Sequence, residues 1–395
     1  MVLNWRNGLS ASIREMKYRK WKVIYLTVLS DHPIEKDSTI KFLFSSIYTF
    51  LKERKAKILL EKVYGLSSFR KDAAVIRNRC IKKMLEKAEV PFTYIGSIPC
   101  IGGKIAGVQI IGVIQRDKKT KIDTIFFKGN PIGRVFETDD FKGIYLSGIS
   151  GLRKDRKEEK QSLARQAEYI VEQCQDVFGK HGMTAENIVR TWIYFPRILH
   201  WYKRFNKIRA KFFKKFGLIS GNKTYLPAST GIQGGGRPKE EIFLDMIAFI
   251  PKKKQVGSAS IMRSNRQKEA RKYGATFSRG VEVKTGNSSL FHISGTASIN
   301  PKGETIYLHD EQGQITETLI NICALLATKN ARLNDIVLTA AYCKNKKTYE
   351  VFRDVTKFLG LDYIPFIPVY ADVCRGELLF EIDAIAVKQY DIRDD

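Results

Sequence analysis

The chain is short of acid. It carries 41 Asp and Glu against 68 Lys and Arg, a formal charge of +27 over 395 residues. A chain that basic attracts anions: nucleic acid, acidic membrane surfaces or small polyanionic substrates. Cysteine is sparse, at Cys80, Cys100, Cys174, Cys323, Cys343 and Cys374, with no Cys-x-x-Cys pair. This excludes a zinc ribbon and a thioredoxin-type dithiol, and it is too thin for a disulfide scaffold. A reducing compartment fits, so a cytoplasmic location is expected. The five histidines show no His-x-x-x-His or His-x-x-Glu-His spacing. No metal site and no Ser-His-Asp set can be assembled from motifs, and no cofactor is implied. No run of about 18 apolar residues exists to span a membrane. The basic start, MVLNWRNGLSASIREMKYRKWK, lacks the apolar stretch of a secretory signal. The triple glycine Gly234-Gly235-Gly236 is followed by Arg237, with no Lys-Ser/Thr, so it is not a phosphate-binding loop.

What is present is enough apolar residue, 44%, to build real cores. It is arranged as a threefold repeat. Three short apolar strands read alike: Ile24–Thr27, Ile144–Ser147 and Phe291–Ser294. Helical patterns follow at about 37–53, 158–179 and 312–328. A second strand then ends in Tyr in every case: Ile58–Tyr64, Ile188–Tyr194 and Ile336–Tyr342. Further helical patterns lie near 70–88, 197–215 and 346–358, and apolar strands close the units at Gln109–Ile114, Asp245–Ile250 and Asp383–Val387. Unequal offsets between the repeats place the length changes in loops, which argues against a fixed-period solenoid.

The expected fold is therefore α/β (α+β), with three tandem units at 1–130, 131–255 and 273–395, the first of them degenerate. Sheets covered by helices on one face could meet around a common axis, a covalent imitation of a trimer, monomeric as a chain. Binding sites would lie in the clefts between units. The basic segment Pro251–Gly274 reads as an exposed linker.

The third unit ends Val369-Tyr370-Ala371-Asp372-Val373-Cys374-Arg375-Gly376-Glu377-Leu378-Leu379-Phe380-Glu381-Ile382-Asp383. Arg375 sits on a turn, where its guanidinium can fork onto a carboxylate. Glu381 lies in an otherwise apolar strand, where burial is costly unless it is paired or protonated. Two readings stand: a general acid active near neutral pH, or an Arg–Glu surface pair on an edge strand. Cys374 is either a thiol of lowered pKa or a small packing residue. Ser294-Gly295-Thr296 offers small residues and N–H and hydroxyl donors to an anion, and unit two has Ser147-Gly148 at the same place. The helix from Tyr202 to Phe216 sets Lys203, Lys207, Lys211 and Lys214 on one face, an RNA footprint or a solvated surface. Arg209 lies towards its apolar side, suited to a buried anion contact.

At these residues the chain resembles a known family. HISGTAS with HDEQGQITETLIN, and VYADVCRGELLFEIDAIAV, resemble the YjgF/Rid (L-PSP) superfamily, small α+β units that trimerise with sites between subunits. VRTWIYFPRI, WYKRFNKIR and LPASTGI resemble the chorismatases, which carry such units within one longer chain. The resemblance spans about 140–250 and 277–390. It implies that a strand glutamate, Glu381, acts as the acid that releases pyruvate from chorismate, a small dianion, without a metal. It implies that Arg375 and Arg209 belong to the anion-binding set, that Tyr202 falls in the same motif, and that Cys374 marks the 3-hydroxybenzoate-forming branch over the dihydrodiol product. Two alternatives remain: a Rid-type enamine/imine deaminase using Arg375, and a non-catalytic RNA- or ligand-binding protein. Gly107 and Phe243 occupy the places that correspond to Glu381 in units one and two, so one acid-bearing site per chain is expected.

Overall fold

The structure, a computed structural model, describes residues 1–85, 89–153, 161–220, 223–253, 257–267, 269–270 and 276–390. Each unit is built on a sheet with two helices. In unit one the strands are β1 (Leu9–Lys17), β2 (Trp21–Ile34), β3 (Ala56–Gly65), β4 (Thr93–Gly96) and β5 (Ile105–Gln115), with helices α1 (Asp37–Glu53) and α2 (Arg70–Leu85). Unit two repeats this as β6 (Asn130–Glu137), β7 (Phe141–Ser150), β8 (Ile188–Phe195), β9 (Ala228–Gln233) and β10 (Phe243–Pro251), with α3 (Leu163–His181) and α4 (Ile198–Lys215). Unit three has β11 (Gly280–Thr285), β12 (Ser288–Ala297), β13 (Ile336–Cys343), β14 (Phe366–Tyr370) and β15 (Phe380–Gln389), with α5 (Glu311–Ala327) and α6 (Lys346–Phe358). The order across each sheet is the same: first, second, fifth, third, fourth strand of the unit. The last-formed strand is thus central, paired antiparallel to both neighbours.

The helices and the three strands per unit expected from sequence are present. Residues 86–88 and 158–160 of two expected helices lie outside the described residues. Beside shorter and edge strands, each unit adds two strands of its sheet to the sequence reading. One opens the sheet as a hairpin partner; β1 alternates buried and half-exposed residues, so half of it looks polar. The other is short and parallel to the middle strand, as β4 is to β3. Sheet membership also differs from the expected boundaries. Lys121–Phe127 pairs with β6, so the second sheet begins before residue 130. Gly257–Met262, inside the segment read as a linker, pairs with β11 along its length. An edge strand needs a partner on one side only, so the small residues Gly257, Ser258, Ala259 and Ser260 suffice there.

Each sheet is buried on both faces. The outer faces pack against their own helices in three separate cores. The inner faces share one core, to which Tyr25, Tyr64, Trp192, Phe249, Val281 and Ile385 contribute. The recurring tyrosine has its reason here. In the ladders Tyr64, Tyr194 and Tyr342 stand opposite Gly107, Phe243 and Glu381. All three tyrosines are buried and bond to the residue two further along the central strand: Gln109 at 3.3 Å, Asp245 at 3.2 Å and Asp383 at 3.2 Å. Two buried cations balance the two carboxylates. Lys62 Nζ lies 3.6 Å from Asp245 and over the Trp192 ring, and Arg190 Nη2 lies 3.3 Å from Asp383. Burial pulls the Lys62 ammonium down to about 8 against the pull of Asp245.

Candidate active site

Glu381 is the second residue of β15, the central strand of the third sheet, and is 4% exposed. This rules out the surface pair on an edge strand. Burial, and then the negative charge of Asp383 two residues on, raise its carboxyl to about 8; Arg279 and Arg190 pull it back less strongly. At neutral pH the group is a buried acid with its proton in place. Glu377 is not on its face: it lies exposed in the preceding turn and accepts a bond from Thr305 Oγ1.

A cavity of about 530 Å³ opens in front of Glu381. Unit three supplies Glu381, Gly295, Cys374, Arg375 and Arg279 to its walls; α4 of unit two supplies Tyr202, Lys203, Asn206 and Lys207. The site therefore exists only where two units meet. Four cations surround one neutral acid. Lys203 and Lys207, from the lysine face of α4, are among them, so part of that face is turned towards the cavity.

Gly295 fits the carboxyl. It lies in a bulge where the β12–β15 register shifts between Ile293 and Thr296. A Cβ there would stand 2.1 Å from Glu381 Oε1 and 2.9 Å from its Cδ. The carboxyl, being the free end of a side chain, would have to move. Gly295→Ala should therefore lower turnover on the order of a hundredfold, the effect of misplacing a reacting group by about an ångström, with a melting temperature close to wild type. Steady-state rates beside a thermal melt check this.

The neighbouring residues divide into lining and bracing. Arg375 is half-buried on the wall, with Nη1 donating to Gly303 O at 3.1 Å and Thr305 Oγ1 at 3.4 Å. Arg209, in contrast, is not among the cavity's lining residues. It is buried, and donates to Thr276 Oγ1 at 2.5 Å, Ser229 Oγ at 3.1 Å and Asn206 Oδ1 at 2.7 Å. It braces α4 against the unit boundary and reaches the cavity through Asn206. Ser294 Oγ donates to Ser278 O and accepts from Ser229 N, and Thr296 Oγ1 donates to Ser294 O. Both hold the wall; of this trio Gly295 lines the cavity. The Cys374 thiol is raised to about 12, by burial first and by Glu381 next, so it is a neutral wall group and not a thiolate.

Sequence reading missed Arg279. It is buried, lies over Phe277 with its guanidinium carbon 5.5 Å from the ring centre, and its carbonyl accepts from Ser294 N. The available signal was its place immediately before β11, the strand that pairs with β12. Among the described residues no group of three or more His, Cys, Asp or Glu is placed to hold a metal, and no helix is long and apolar enough to cross a membrane.

Comparison with known proteins agrees with this architecture. Residues 269–388 match the family model Endoribonuclease L-PSP. A RutC family protein of Saccharolobus solfataricus is 26% identical over 113 residues, which is 28% of this chain and 86% of that protein. Another, from Pyrococcus abyssi, is 27% identical over 108 residues, 27% of this chain and 84% of the relative. Among solved structures, the crystal structure of a chorismatase superposes with a TM-score of 0.57 at 17% identity, covering 83% of this chain and 92% of that one.

Proposed function

We propose that this chain, whose residues 269–388 match the Endoribonuclease L-PSP family model and whose fold is similar to that of a chorismatase over 83% of its length, is a chorismatase-type enzyme. It converts chorismate to pyruvate and 3-hydroxybenzoate by general-acid catalysis. The observation that carries this reading is a buried carboxyl, protonated at neutral pH, at the wall of a cation-lined cavity between two units. Glu381 gives its proton to the enolpyruvyl methylene carbon, which leaves positive charge on the ether carbon. Water adds to that carbon and the ether bond breaks with its electron pair on the ring oxygen, so that pyruvate leaves with the water's oxygen as its carbonyl; the ring diol then loses its neighbouring hydroxyl and a ring hydrogen as water and becomes aromatic, and the Glu381 carboxylate recovers a proton as the products form. Net loss of pyruvate from chorismate leaves the hydroxybenzoate, so atoms balance with no added oxidant. The two substrate carboxylates meet the cations: Arg375 and Arg279 on unit three, Lys203 and Lys207 on α4. Tyr202 and Cys374 shape the ring pocket as neutral groups.

The test is incubation with chorismate, with products resolved by chromatography. Pyruvate and 3-hydroxybenzoate in equal amounts are expected. Ammonia from an imine substrate, with chorismate untouched, would favour the deaminase reading and end this one. The rate should hold at neutral pH and fall as pH rises through about 8, where Glu381 loses its proton. A rate that climbs across that range would contradict an acid role.

A further inference from the structure

The outer face of each sheet is covered by two helices, but the three units are not packed alike. Counting back twenty residues from the repeat tyrosines Tyr64, Tyr194 and Tyr342 gives Phe44, Cys174 and Ile322 on the first helix of each unit. Counting back seventeen gives Ile47, Val177 and Leu325. Unit two has the smallest side chain at both places. On the sheet, three residues before the tyrosines, stand Glu61, Thr191 and Thr339. In unit one Phe44 is fully buried, and Glu61 accepts bonds from Arg77 and Tyr48, which fills the space between helices and sheet. In unit two α3 and α4 touch less than α1 and α2 or α5 and α6 do. An apolar cavity of about 460 Å³ is left between them and the sheet. Exposure records the difference. Leu244, just before Asp245, is 7% exposed; Val108 and Ile382, at the same place in the other units, are 0% exposed.

The cavity is a slot. β7 and β8 both run antiparallel to β10, and β9 runs parallel to β8. The helices α3 and α4, each returning between parallel strands, therefore lie side by side with their C-terminal ends together. Ala167 to Gly179 of α3 and Phe205 to Phe216 of α4 line the slot. At about 1.5 Å per residue it runs for roughly 18 Å. Spread over that length, the volume leaves a section of about 25 Å², which suits one extended hydrocarbon chain and not a globular body. The polar groups inside are engaged. Thr191 Oγ1 donates to Ser229 Oγ at 2.8 Å, and Arg209 donates to Thr276, Ser229 and Asn206. Burial pushes the Cys174 thiol up to about 12, so it is uncharged. Gln175 and Thr184, the other polar lining residues, are exposed at the rim. A polar ligand would lose water inside and gain little, whereas a hydrocarbon gains by leaving water and restores the missing packing.

We propose that this slot binds the alkyl chain of a single-chain amphiphile free in solution, chain inward and polar head at the exposed rim. Carbon–carbon bonds of about 1.5 Å advance a chain by roughly 1.3 Å each, so about ten carbons lie within it and leave the head outside. The site is separate from the cavity before Glu381: α4 turns Phe205 and Phe212 to the slot, and Lys203 and Lys207 to the acid.

1-Decanol is the probe, titrated calorimetrically into the full-length chain. One saturable site is expected. 1-Octanol, two methylenes shorter, should bind about ten- to twentyfold more weakly. 1-Adamantanol, with the same ten carbons in a cage, should bind more weakly still. Cys174→Phe places in unit two the residue of unit one; it should weaken 1-decanol binding about tenfold or more and leave the melting temperature of the unliganded chain equal or higher. Val177→Leu, one methylene larger, gives a second reading with less risk to the fold, a weakening of about fourfold. No saturable binding by the wild type, equal affinity for 1-decanol and 1-adamantanol, or affinity unchanged in both variants overturns the inference. Capture of the chain by phosphatidylcholine vesicles with no saturable 1-decanol site would assign the apolar lining to a bilayer contact, and overturns it too.

Discussion

Glu381→Gln should lower chorismate turnover by about 10²- to 10⁴-fold, the usual worth of a positioned general acid. The amide keeps the shape of the side chain and cannot release a proton, so KM should change far less than kcat. A distinct signature follows in stability. The folded carboxyl holds its proton to about 8, against an ordinary value of 4.5. Between those two pH values the native state keeps a proton that the unfolded chain has lost. Stability of the wild type is therefore drawn down as pH rises from about 4.5 to about 8, and levels off above. Glu381→Gln has no such titration. It should match the wild type at pH 4 and exceed it increasingly up to pH 8, a gap read from melting temperatures across pH. Equal melting curves at pH 4 and pH 9 would mean that Glu381 titrates normally and is not the acid.

Asp245→Ala should cost about 3–5 kcal/mol of folding stability, the loss typical of removing one partner from a buried ion pair. Asp245 is fully buried, faces Lys62, and accepts bonds from Gly148 N at 2.8 Å, Tyr194 and Thr93. These partners come from units one and two, so the carboxylate ties two units together at the axis. Removing it strands Lys62, whose ammonium already loses affinity for its proton through burial. A compensating change tests the cause: Lys62→Met on the Asp245→Ala background should recover part of the loss, because the uncompensated charge is gone. Denaturant unfolding of both variants decides it. Additive destabilisation in the double variant would show that the pair is not the source. The network reaches the site by way of unit three, where Asp383 raises Glu381 and Arg190 holds Asp383.

How much was legible in the sequence follows from the range of each interaction. The period-2 and period-3.6 patterns are local, so the helices and the main strands could be read. The shared Tyr64, Tyr194 and Tyr342 pointed to a true repeat because three copies of one packing problem received one answer. Strands shorter than six residues, such as Thr93–Gly96, carry too few residues for a pattern, and they stayed hidden. The Lys face of α4 could not be divided by sequence into solvent-facing and cavity-facing parts. Nor could the sequence show Arg209 as a brace or Arg279 as a site residue: both are buried, and only the packing of α4 on unit three turns one into a brace and sets the other beside the acid.

The sequence by itself determined three α+β repeats, their order, an acid at Glu381 in the last one and none at the corresponding Gly107 and Phe243 of the other two. Short-range periodicity and residue identity are sufficient for that. The tertiary structure decided that Glu381 is neutral and which cations face it. Those outcomes depend on burial and on charges brought together from hundreds of residues apart, across an axis that no single unit contains.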